Sequence, residues 1–325
     1  MPRAATTPGH EPVMLERVLG VLGPALQRPG AVAVDATLGL GGHSHAALER
    51  FPDLRLIGID RDPIALAHSS ERLAAFADRV LFVQATYDRI LDVLAEQRLA
   101  SVDAILMDLG VSSMQLDDAT RGFSYARDTD LDMRMDPGLT RTAADVVNTA
   151  SVAELTRILR EYGEERFAHR IALRIAQART VAPIQRSAEL AELVRAAIPA
   201  PARRTGGNPA KRSFQALRIE VNDELGTLQR AMPAALDALA VHGRLAVLSY
   251  HSLEDRIVKR AITPGLHPEV PHGLPFLPKE SEPWLKALTR GAEHPDEGEA
   301  AANPRAASAR LRAVERLRVH AVERR

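Results

Sequence analysis

A glycine-rich turn between two apolar runs is the feature that most constrains how this chain can fold. The first run, Ala31 to Val34, is followed by Asp35 and then by the turn Gly39-Leu-Gly-Gly-His-Ser44. The second run, from Leu54, ends on another acid, Asp60. In a parallel sheet, such glycines let the backbone approach a ligand, the next helix N-terminus faces its anionic part, and the second acid accepts ribose hydroxyls. The pattern predicts a nucleotide-type cofactor site at the carboxyl edge of a parallel sheet.

The spacing of the glycines distinguishes between two candidate cofactors. A dinucleotide fingerprint read from Gly39 and Gly41 needs a third glycine where this chain has Ser44. S-adenosylmethionine (SAM) sites need only the acid, the two glycines and the downstream acid. We therefore predict SAM. A nicotinamide-dependent dehydrogenase and a tight turn without any ligand are the alternatives.

Composition excludes several classes of protein. The 42 basic residues are balanced by 42 acidic ones, so no overall field indicates a nucleic-acid partner. The absence of cysteine excludes disulfides, thiolate zinc sites and thiol nucleophiles. No apolar run approaches the ~18 residues of a membrane span, and residues 1–13 lack the apolar stretch of a signal peptide. We predict a soluble, cytoplasmic protein with no membrane partner and no metal.

Short apolar runs alternate with amphipathic stretches from residue 31 onward. This alternation predicts the α/β class, with a doubly wound, Rossmann-like parallel sheet and right-handed crossovers. The predicted strands are Ala31–Ala36, Leu54–Asp60, Arg79–Gln84 and Val102–Leu109. The predicted helices are His43–Arg50, Pro63–Phe76 and Tyr87–Arg98.

The alternation stops after the fourth strand. A polar, turn-rich stretch is followed by helical periodicity at Val152–Tyr162, Glu165–Arg179 and Ala188–Ile198. We predict a helical insert, residues 114–210, within a domain formed by residues 1–113 and 211–325.

The sheet resumes after the insert. A helical pattern from Ser213 to about Leu239 leads to an apolar run, Arg244–Leu248. Residues 264–307 are proline-rich, and we predict loops there. The basic C-terminal stretch Ser308–Arg318 alternates small apolar residues with arginines, which predicts a final edge strand or a helix.

Three side chains near strand ends are candidates for chemistry. Asp108 ends the fourth strand, so it should share a crevice with Asp60 and the glycines; a helix cap or an ion pair is the alternative. Tyr87 follows the third strand and can stack on an adenine, or simply belong to the core. His251 follows the last predicted parallel strand and can carry a proton near pH 7, or can be a polar residue at a helix start. No second histidine or cysteine stands at metal-ligand spacing from His251.

Basic residues cluster in two places despite the neutral total. One cluster flanks a glycine-rich turn and comprises Arg203, Arg204, Lys211, Arg212 and Arg218. The other lies near the C-terminus and comprises Arg305, Arg310, Arg312, Arg316 and Arg318. Clusters of this kind contact phosphates, but solvated helix faces have the same composition.

Together these segments resemble the bacterial 16S ribosomal RNA cytosine-N4 methyltransferases (RsmH, also called MraW). The matching blocks run almost from end to end: His10–Leu15, Asp35–Ser44, Gly58–Pro63, Asp108–Asp117, Arg121–Ser124, Leu131–Asp136, Phe214–Asn222, His251–Arg256 and Asn303–Arg305. The resemblance implies a SAM-dependent methyltransferase domain, residues 1–113 and 211–325, interrupted by the helical insert, for which we expect a role in substrate recognition. It implies that the enzyme acts on a cytidine in the decoding region of 16S rRNA in the small ribosomal subunit.

The resemblance also implies site residues. It implies SAM contacts at Gly41, Gly42, His43, Asp60, Tyr87, Asp108 and Gln115. RNA contacts are expected at Arg203, Arg204, Lys211, Arg212 and Arg305. Tyr87 and Tyr250 both stand where the family usually has phenylalanine; tyrosine keeps the stacking face at position 87, and we expect no chemical consequence at position 250.

The group that polarises the target amino nitrogen is left open by the sequence. DNA amino-methyltransferases place an Asp/Asn/Ser-Pro-Pro-aromatic motif after the fourth strand, whereas this chain has Asp108-Leu-Gly-Val. We predict that Asp108 chiefly holds the cofactor, and that His251 or Ser249 accepts a hydrogen bond or proton from the amino group. A non-catalytic RNA-binding assembly factor is the remaining alternative; the intact acids and glycines argue against it.

Overall fold

The computed structural model describes residues 12–111, 121–125, 128–203, 208–268, 282–303 and 306–319. The chain forms two compact units, with the divisions after Gly110 and after Gly226. The first unit combines the parts of the chain on either side of the second. The first division lies close to the predicted one, and the second lies 16 residues beyond the predicted end at 210.

The first part of the chain alternates helices and strands. Its elements are α1 (Leu15–Leu26), β1 (Val32–Asp35), α2 (Gly42–Arg50), β2 (Arg55–Asp60), α3 (Pro63–Arg72), β3 (Val80–Gln84), α4 (Ile90–Glu96) and β4 (Val102–Asp108), with 3₁₀ turns at Ala74–Arg79 and Tyr87–Arg89. Local sequence explains the helix starts. Asp62 accepts a hydrogen bond from the Ile64 N–H at 3.1 Å and Pro63 takes the first helical position, so α3 begins there.

The second unit is helical in its described residues. Its helices are α5 (Ala143–Thr149), α6 (Val152–Glu161), α7 (Ala168–Ala178), α8 (Ser187–Ala197), the short α9 (Ala200–Arg203) and α10 (Lys211–Asn222). Helix α10 buries Phe214 and Leu217 in the apolar core of this unit, together with Leu155 and Ile171. That packing is why the unit extends past residue 210.

The remaining elements complete the sheet. They are α11 (Glu224–Ala238), β5 (Leu239–Ser249), α12 (Ser252–Leu266), β6 (Leu285–Ala287), α13 (Glu297–Ala302) and β7 (Arg310–Arg316), with a 3₁₀ turn at Ala306–Ser308. The predicted helix from 213 to 239 is divided in two, because Asp223 adopts a left-handed conformation with φ of 48°. The prediction of loops throughout 264–307 is wrong at β6 and α13.

Seven strands form one sheet in the order β3-β2-β1-β4-β5-β7-β6. Strands β1 to β5 are parallel to one another, while β7 is antiparallel to both β5 and β6. The C-terminal stretch is therefore a strand, as one of the two predictions had it, but β6 rather than β7 lies at the edge. The order reverses between β1 and β4, and such a switch point opens a crevice at the carboxyl ends of the strands.

Side chains of alternate residues on the strands enter two cores, one on each face of the sheet. Leu56 and Leu106 contribute to the core that includes α1 and α2. Ile57, Ile105 and Met107 contribute to the other, which includes α4, α11 and α12. Strands buried on both faces read as continuous apolar runs, which is how they were found in the sequence. The described helices include none that is both long and apolar enough to cross a membrane.

Candidate active site

The turn after β1 is fixed by a buried carboxylate. Asp35 ends β1 and is almost fully buried. It accepts hydrogen bonds from the Ser44 hydroxyl at 2.6 Å and from the Thr37 N–H at 3.2 Å, while burial raises the pKa of its carboxyl. Ser44, the residue that departs from the dinucleotide pattern, thus ties the start of α2 to the end of β1.

The two glycines before and at the start of α2 are required by packing. Gly41 has φ of +70°, and a side chain there would lie 3.3 Å from Ser69 Cβ on α3. A side chain on Gly42 would lie 2.7 Å from Pro12 Cγ. Such glycines are expected to let the backbone approach a ligand, and a side chain at either position would in addition meet α3 or the segment before α1. The glycines therefore shape the turn.

Gly41→Ala is expected to destabilise the protein even without cofactor. The left-handed backbone alone costs a residue with a side chain roughly 1–2 kcal/mol. Gly20→Ala is the matched control, because Gly20 lies inside α1 with open space around it, and alanine there should stabilise the helix by up to about 1 kcal/mol. Urea denaturation measures both. Equal unfolding midpoints for Gly41→Ala and wild type would contradict this account of the turn.

Asp60 is held at the end of β2 by two backbone groups. Its Oδ2 accepts the Gly39 N–H and its Oδ1 accepts the Asp62 N–H, each at 2.8 Å. A carboxylate has about four acceptor positions, so each oxygen keeps capacity for a further donor. Burial raises the pKa of Asp60 to about 6. The side chain is thus an oriented acceptor that is ionised at neutral pH.

Asp108 ends β4 beside the switch point and is half-buried. Its backbone N–H donates to Thr37 Oγ1 at 2.6 Å, and the Tyr250 hydroxyl donates to its Oδ1, also at 2.6 Å. The second oxygen, Oδ2, lies 3.6 Å from His43 Nδ1. Burial raises the pKa of the Asp108 carboxyl.

The buried His43 presents one ring nitrogen to Asp108. Its Nε2 lies 2.9 Å from the Val13 carbonyl oxygen. A carbonyl oxygen only accepts, so Nε2 carries the hydrogen. The other ring nitrogen, Nδ1, lies 3.6 Å from Asp108 Oδ2, so His43 stands between the segment before α1 and Asp108.

His251 caps helix α12. Its Nδ1 accepts the Glu254 N–H at 3.4 Å, while the Glu254 carboxylate accepts the N–H groups of Tyr250 at 2.7 Å and His251 at 3.2 Å, which completes a capping box. His251 Nε2 is buried and lies 3.3 Å from Glu254 Oε1. Nδ1 is therefore engaged as the cap of α12, whereas Nε2 makes no hydrogen bond within the described residues.

The other candidates fall in several places. Tyr87 starts the 3₁₀ turn after β3, half-buried against the core beneath it. Lys211 and Arg212 are exposed at the start of α10, and the exposed Arg203 donates to the Ile198 carbonyl at 2.7 Å. Gln115, Arg204 and Arg305 lie outside the described residues.

Several basic residues that the sequence grouped as phosphate contacts are used inside the fold. Arg218 pairs with Glu224, and Arg312 pairs with Asp255. Arg316 is buried and donates to the carbonyls of Leu236, Asp237 and Leu239. These three arginines are structural.

Comparison with known proteins identifies the chain. The MraW methylase family model matches residues 7–317. The chain belongs to this family. It is 61% identical over 307 residues to ribosomal RNA small subunit methyltransferase H of a Parafrankia species, covering 94% of each chain. The proteins of the same name from Frankia alni and Thermobifida fusca are 62% and 60% identical, covering 94% and 97% of this chain and 95% and 96% of theirs.

Membership of the MraW family makes the chain a SAM-dependent methyltransferase. The predicted fold class, cofactor and enzyme class are confirmed, and the nicotinamide and non-catalytic alternatives are wrong. The residues at the switch point fit SAM, because Asp60 offers oriented acceptor oxygens where a ribose would lie beside the turn.

Sequence reasoning overlooked two participants. Thr37 and Glu254 anchor the Asp108 backbone and the β5–α12 junction. The signal for Glu254 was only partial, because the capping-box pattern places Ser or Thr at the cap position three residues before the glutamate, and this chain has His251 there.

Proposed function

We propose that this enzyme transfers a methyl group from SAM to the N4 amino group of a cytidine in the decoding region of 16S rRNA, within the small ribosomal subunit. The relatives' name, ribosomal RNA small subunit methyltransferase H, supports the RNA substrate. The observation that carries the chemistry is the Asp108 carboxylate. It lies at the switch point, one oxygen is bound by Tyr250, and the other has no hydrogen bond from the described residues.

SAM, when bound, supplies a methyl group on a sulfonium. We assign its binding to the turn and the strand ends. Asp60 accepts the ribose hydroxyls with its spare lone pairs, and the Tyr87 ring lies on the adenine. Gly41, Gly42 and His43 contact SAM at the start of α2, and Asp108 contacts it from the end of β4. Gln115, which lies outside the described residues, completes the proposed set.

Asp108 is our candidate for the group that activates the acceptor. The amino nitrogen of cytosine is a poor nucleophile, because its lone pair is delocalised into the ring. A carboxylate oxygen that accepts one of its hydrogens favours the pyramidal nitrogen needed for in-line attack. The new N–C bond replaces the bond between the methyl group and the sulfonium sulfur, which leaves as a neutral thioether. The nitrogen must also lose a proton, and in this proposal Asp108 Oδ2 takes it. Burial favours the protonated carboxyl and thus makes Asp108 a stronger base than a surface aspartate.

The target base must leave any stack to reach a carboxylate in this crevice. The exocyclic nitrogen then lies at hydrogen-bond distance from Asp108. His251 and Ser249 were the acceptors predicted from sequence. His251 is occupied as a helix cap, and the Ser249 side chain is buried with its hydroxyl 3.4 Å from the Arg310 carbonyl. We therefore transfer the acceptor role to Asp108.

An exposed arginine pair on the helical insert supports RNA binding. Arg170 and Arg174 lie one turn apart on the same side of α7. Within the described residues neither makes an ion pair with an acid, and Arg174 contacts Gln177 at 3.5 Å. Arg166, also exposed, precedes the helix. Unpaired exposed guanidiniums are suited to phosphates, so we add α7 to the predicted contacts at Arg203, Arg204, Lys211, Arg212 and Arg305.

Reversing charge on α7 is expected to weaken binding of small subunits without affecting SAM. The double variant Arg170→Glu, Arg174→Glu should raise KM for subunits and reduce the salt dependence of binding by about two in the log–log slope. Arg195→Glu is the control, because Arg195 is exposed on α8 and already paired with Glu192. Arg203→Glu tests the sequence-predicted cluster in parallel. If all three proteins have wild-type KM across a salt series, these arginines are solvated surface.

Label transfer tests the proposed reaction directly. Small subunits from a strain that lacks the enzyme are incubated with labelled SAM, and the label is mapped by nuclease digestion and mass spectrometry. The proposal expects one N4-methylated cytidine in the decoding region. Labelling of a different atom or a different region of the RNA would overturn it.

A further inference from the structure

Tyr250 directly follows β5. The family usually has phenylalanine at this position, and from the sequence we expected the tyrosine to have no chemical consequence. In the structure, the hydroxyl that distinguishes tyrosine from phenylalanine donates to Asp108 Oδ1 at 2.6 Å. The ring packs against Gly110 and the core that includes α1. The Tyr250 N–H donates to Glu254 at 2.7 Å, so both ends of the residue are held.

The Tyr250 hydroxyl has no competitor for Asp108 among the described residues. The Asp108 backbone is held by Thr37, but that bond does not restrict rotation of the carboxylate. His43 Nδ1 lies 3.6 Å from Oδ2, beyond hydrogen-bond distance. Orientation of the carboxylate therefore depends on the bond to Oδ1.

Several charges near Asp108 act on its ionisation. Burial raises the pKa of Asp108, whereas His43 and the hydrogen bond from Tyr250 lower it, and Glu254 raises it. Burial and the neighbouring Asp108 hold the pKa of Tyr250 well above its usual value. The phenol therefore stays protonated, and remains a donor, throughout the pH range in which Asp108 titrates.

We propose that Tyr250 is a positioning residue that binds one oxygen of Asp108 and directs the other toward the amino group of the target base. This inference rests on the role proposed for Asp108. One oxygen is fixed by a donor that does not titrate near neutral pH, and the second is left to accept from the substrate. A carboxylate that rotates freely would divide its time between productive and unproductive orientations.

Tyr250→Phe tests the proposal, because it removes one oxygen atom and keeps the ring. Single-turnover methylation of small subunits is measured from pH 5.5 to 9, with SAM affinity determined over the same range. We expect a rate about ten- to a hundredfold lower near pH 7, as for loss of a hydrogen bond to a charged group. The acid limb of the rate profile should move to higher pH, because loss of the donor raises the pKa of Asp108. Melting temperature should fall only slightly, because the variant loses one hydrogen bond but keeps the packing of the ring.

Two variants make the result specific. Tyr162→Phe removes a phenol hydroxyl from the helical insert and should keep the wild-type rate and pH profile. Tyr250→Leu removes the ring as well, and should lower melting temperature through lost packing. A Tyr250→Phe profile that superimposes on wild type, or a uniform rate loss matched by a large fall in melting temperature, would overturn the positioning role. Should small subunits not be methylated by wild type, the proposed substrate fails, and the pH dependence of SAM affinity still tests the contact between Tyr250 and Asp108.

Discussion

Asp108→Asn is expected to reduce the single-turnover rate of methyl transfer by about 10²- to 10⁴-fold, the usual span for a general acid–base group. Asparagine keeps an oxygen that can accept from Tyr250, so the side chain can retain its place. It cannot take the proton that leaves the amino nitrogen. Rates are measured at pH 7.5 with saturating SAM, after calorimetry has established the affinity of the variant for SAM.

The melting temperature of Asp108→Asn distinguishes a loss of catalytic rate from misfolding. A carboxyl whose pKa is raised by folding stabilises the fold fully below its unfolded pKa, and that contribution is lost as pH rises through the folded pKa. Ionised Asp108 is therefore a net cost at neutral pH. Asp108→Asn should melt no lower than wild type at pH 7.5. A large rate loss accompanied by early melting would point to a structural role.

The competing hypothesis is that His251, and not Asp108, accepts the proton from the amino group. Two variants of His251 distinguish between these hypotheses. His251→Asn keeps a good N-cap while removing the imidazole, and His251→Ala removes both. If His251 only caps α12, the asparagine variant should retain the wild-type rate and the alanine variant should lose roughly 1 kcal/mol of stability. A rate loss of about 10²-fold in both would return the proton-accepting role to His251 and contradict our assignment to Asp108.

The fold was predictable because its signals are local. A parallel sheet covered on both faces produces continuous apolar runs, and each of β1 to β4 was found within two residues of its observed ends. The errors have equally local causes. Strand β6 has three residues, of which only Leu285 is buried, so it gives no periodic signal. Asp223 breaks a helical pattern through a backbone conformation that its sequence does not announce.

The site was less predictable because its contacts join distant parts of the chain. Asp60 and Asp108 stand at strand ends, so the rule for open sheets located them. The bond from Tyr250 to Asp108 spans 142 positions, and neither position suggests the other. The choice between a capping and a proton-accepting His251 depends on which ring nitrogen receives the Glu254 N–H. Only the three-dimensional structure shows which nitrogen accepts this hydrogen bond.

Asp60→Asn is expected to weaken SAM binding by about ten- to a hundredfold at pH 7.5, because a ribose hydroxyl loses a charged acceptor. Asparagine retains one oxygen for Gly39 or Asp62, whereas alanine would leave both N–H groups without a partner. The matched control is Asp53→Asn, an exposed acid before β2. Calorimetric titration with SAM measures all three proteins, and wild-type affinity in Asp60→Asn would contradict the assignment.

The pKa of Asp60 adds a pH signature to the same experiment. Burial raises this pKa from 3.8 to about 6. Binding that requires the carboxylate should therefore weaken as pH falls below about 6, roughly tenfold by pH 5. The unliganded fold should respond in the opposite sense, since protonation relieves the cost of burying the charge and so stabilises the protein between pH 6 and 4. In Asp60→Asn, neither SAM affinity nor the stability of the unliganded protein should show the pH dependence that is due to Asp60. The SAM affinities of wild type and variant should therefore converge near pH 5. An affinity of wild type that stays constant from pH 7.5 to 5 would show that Asp60 does not bind SAM as a carboxylate.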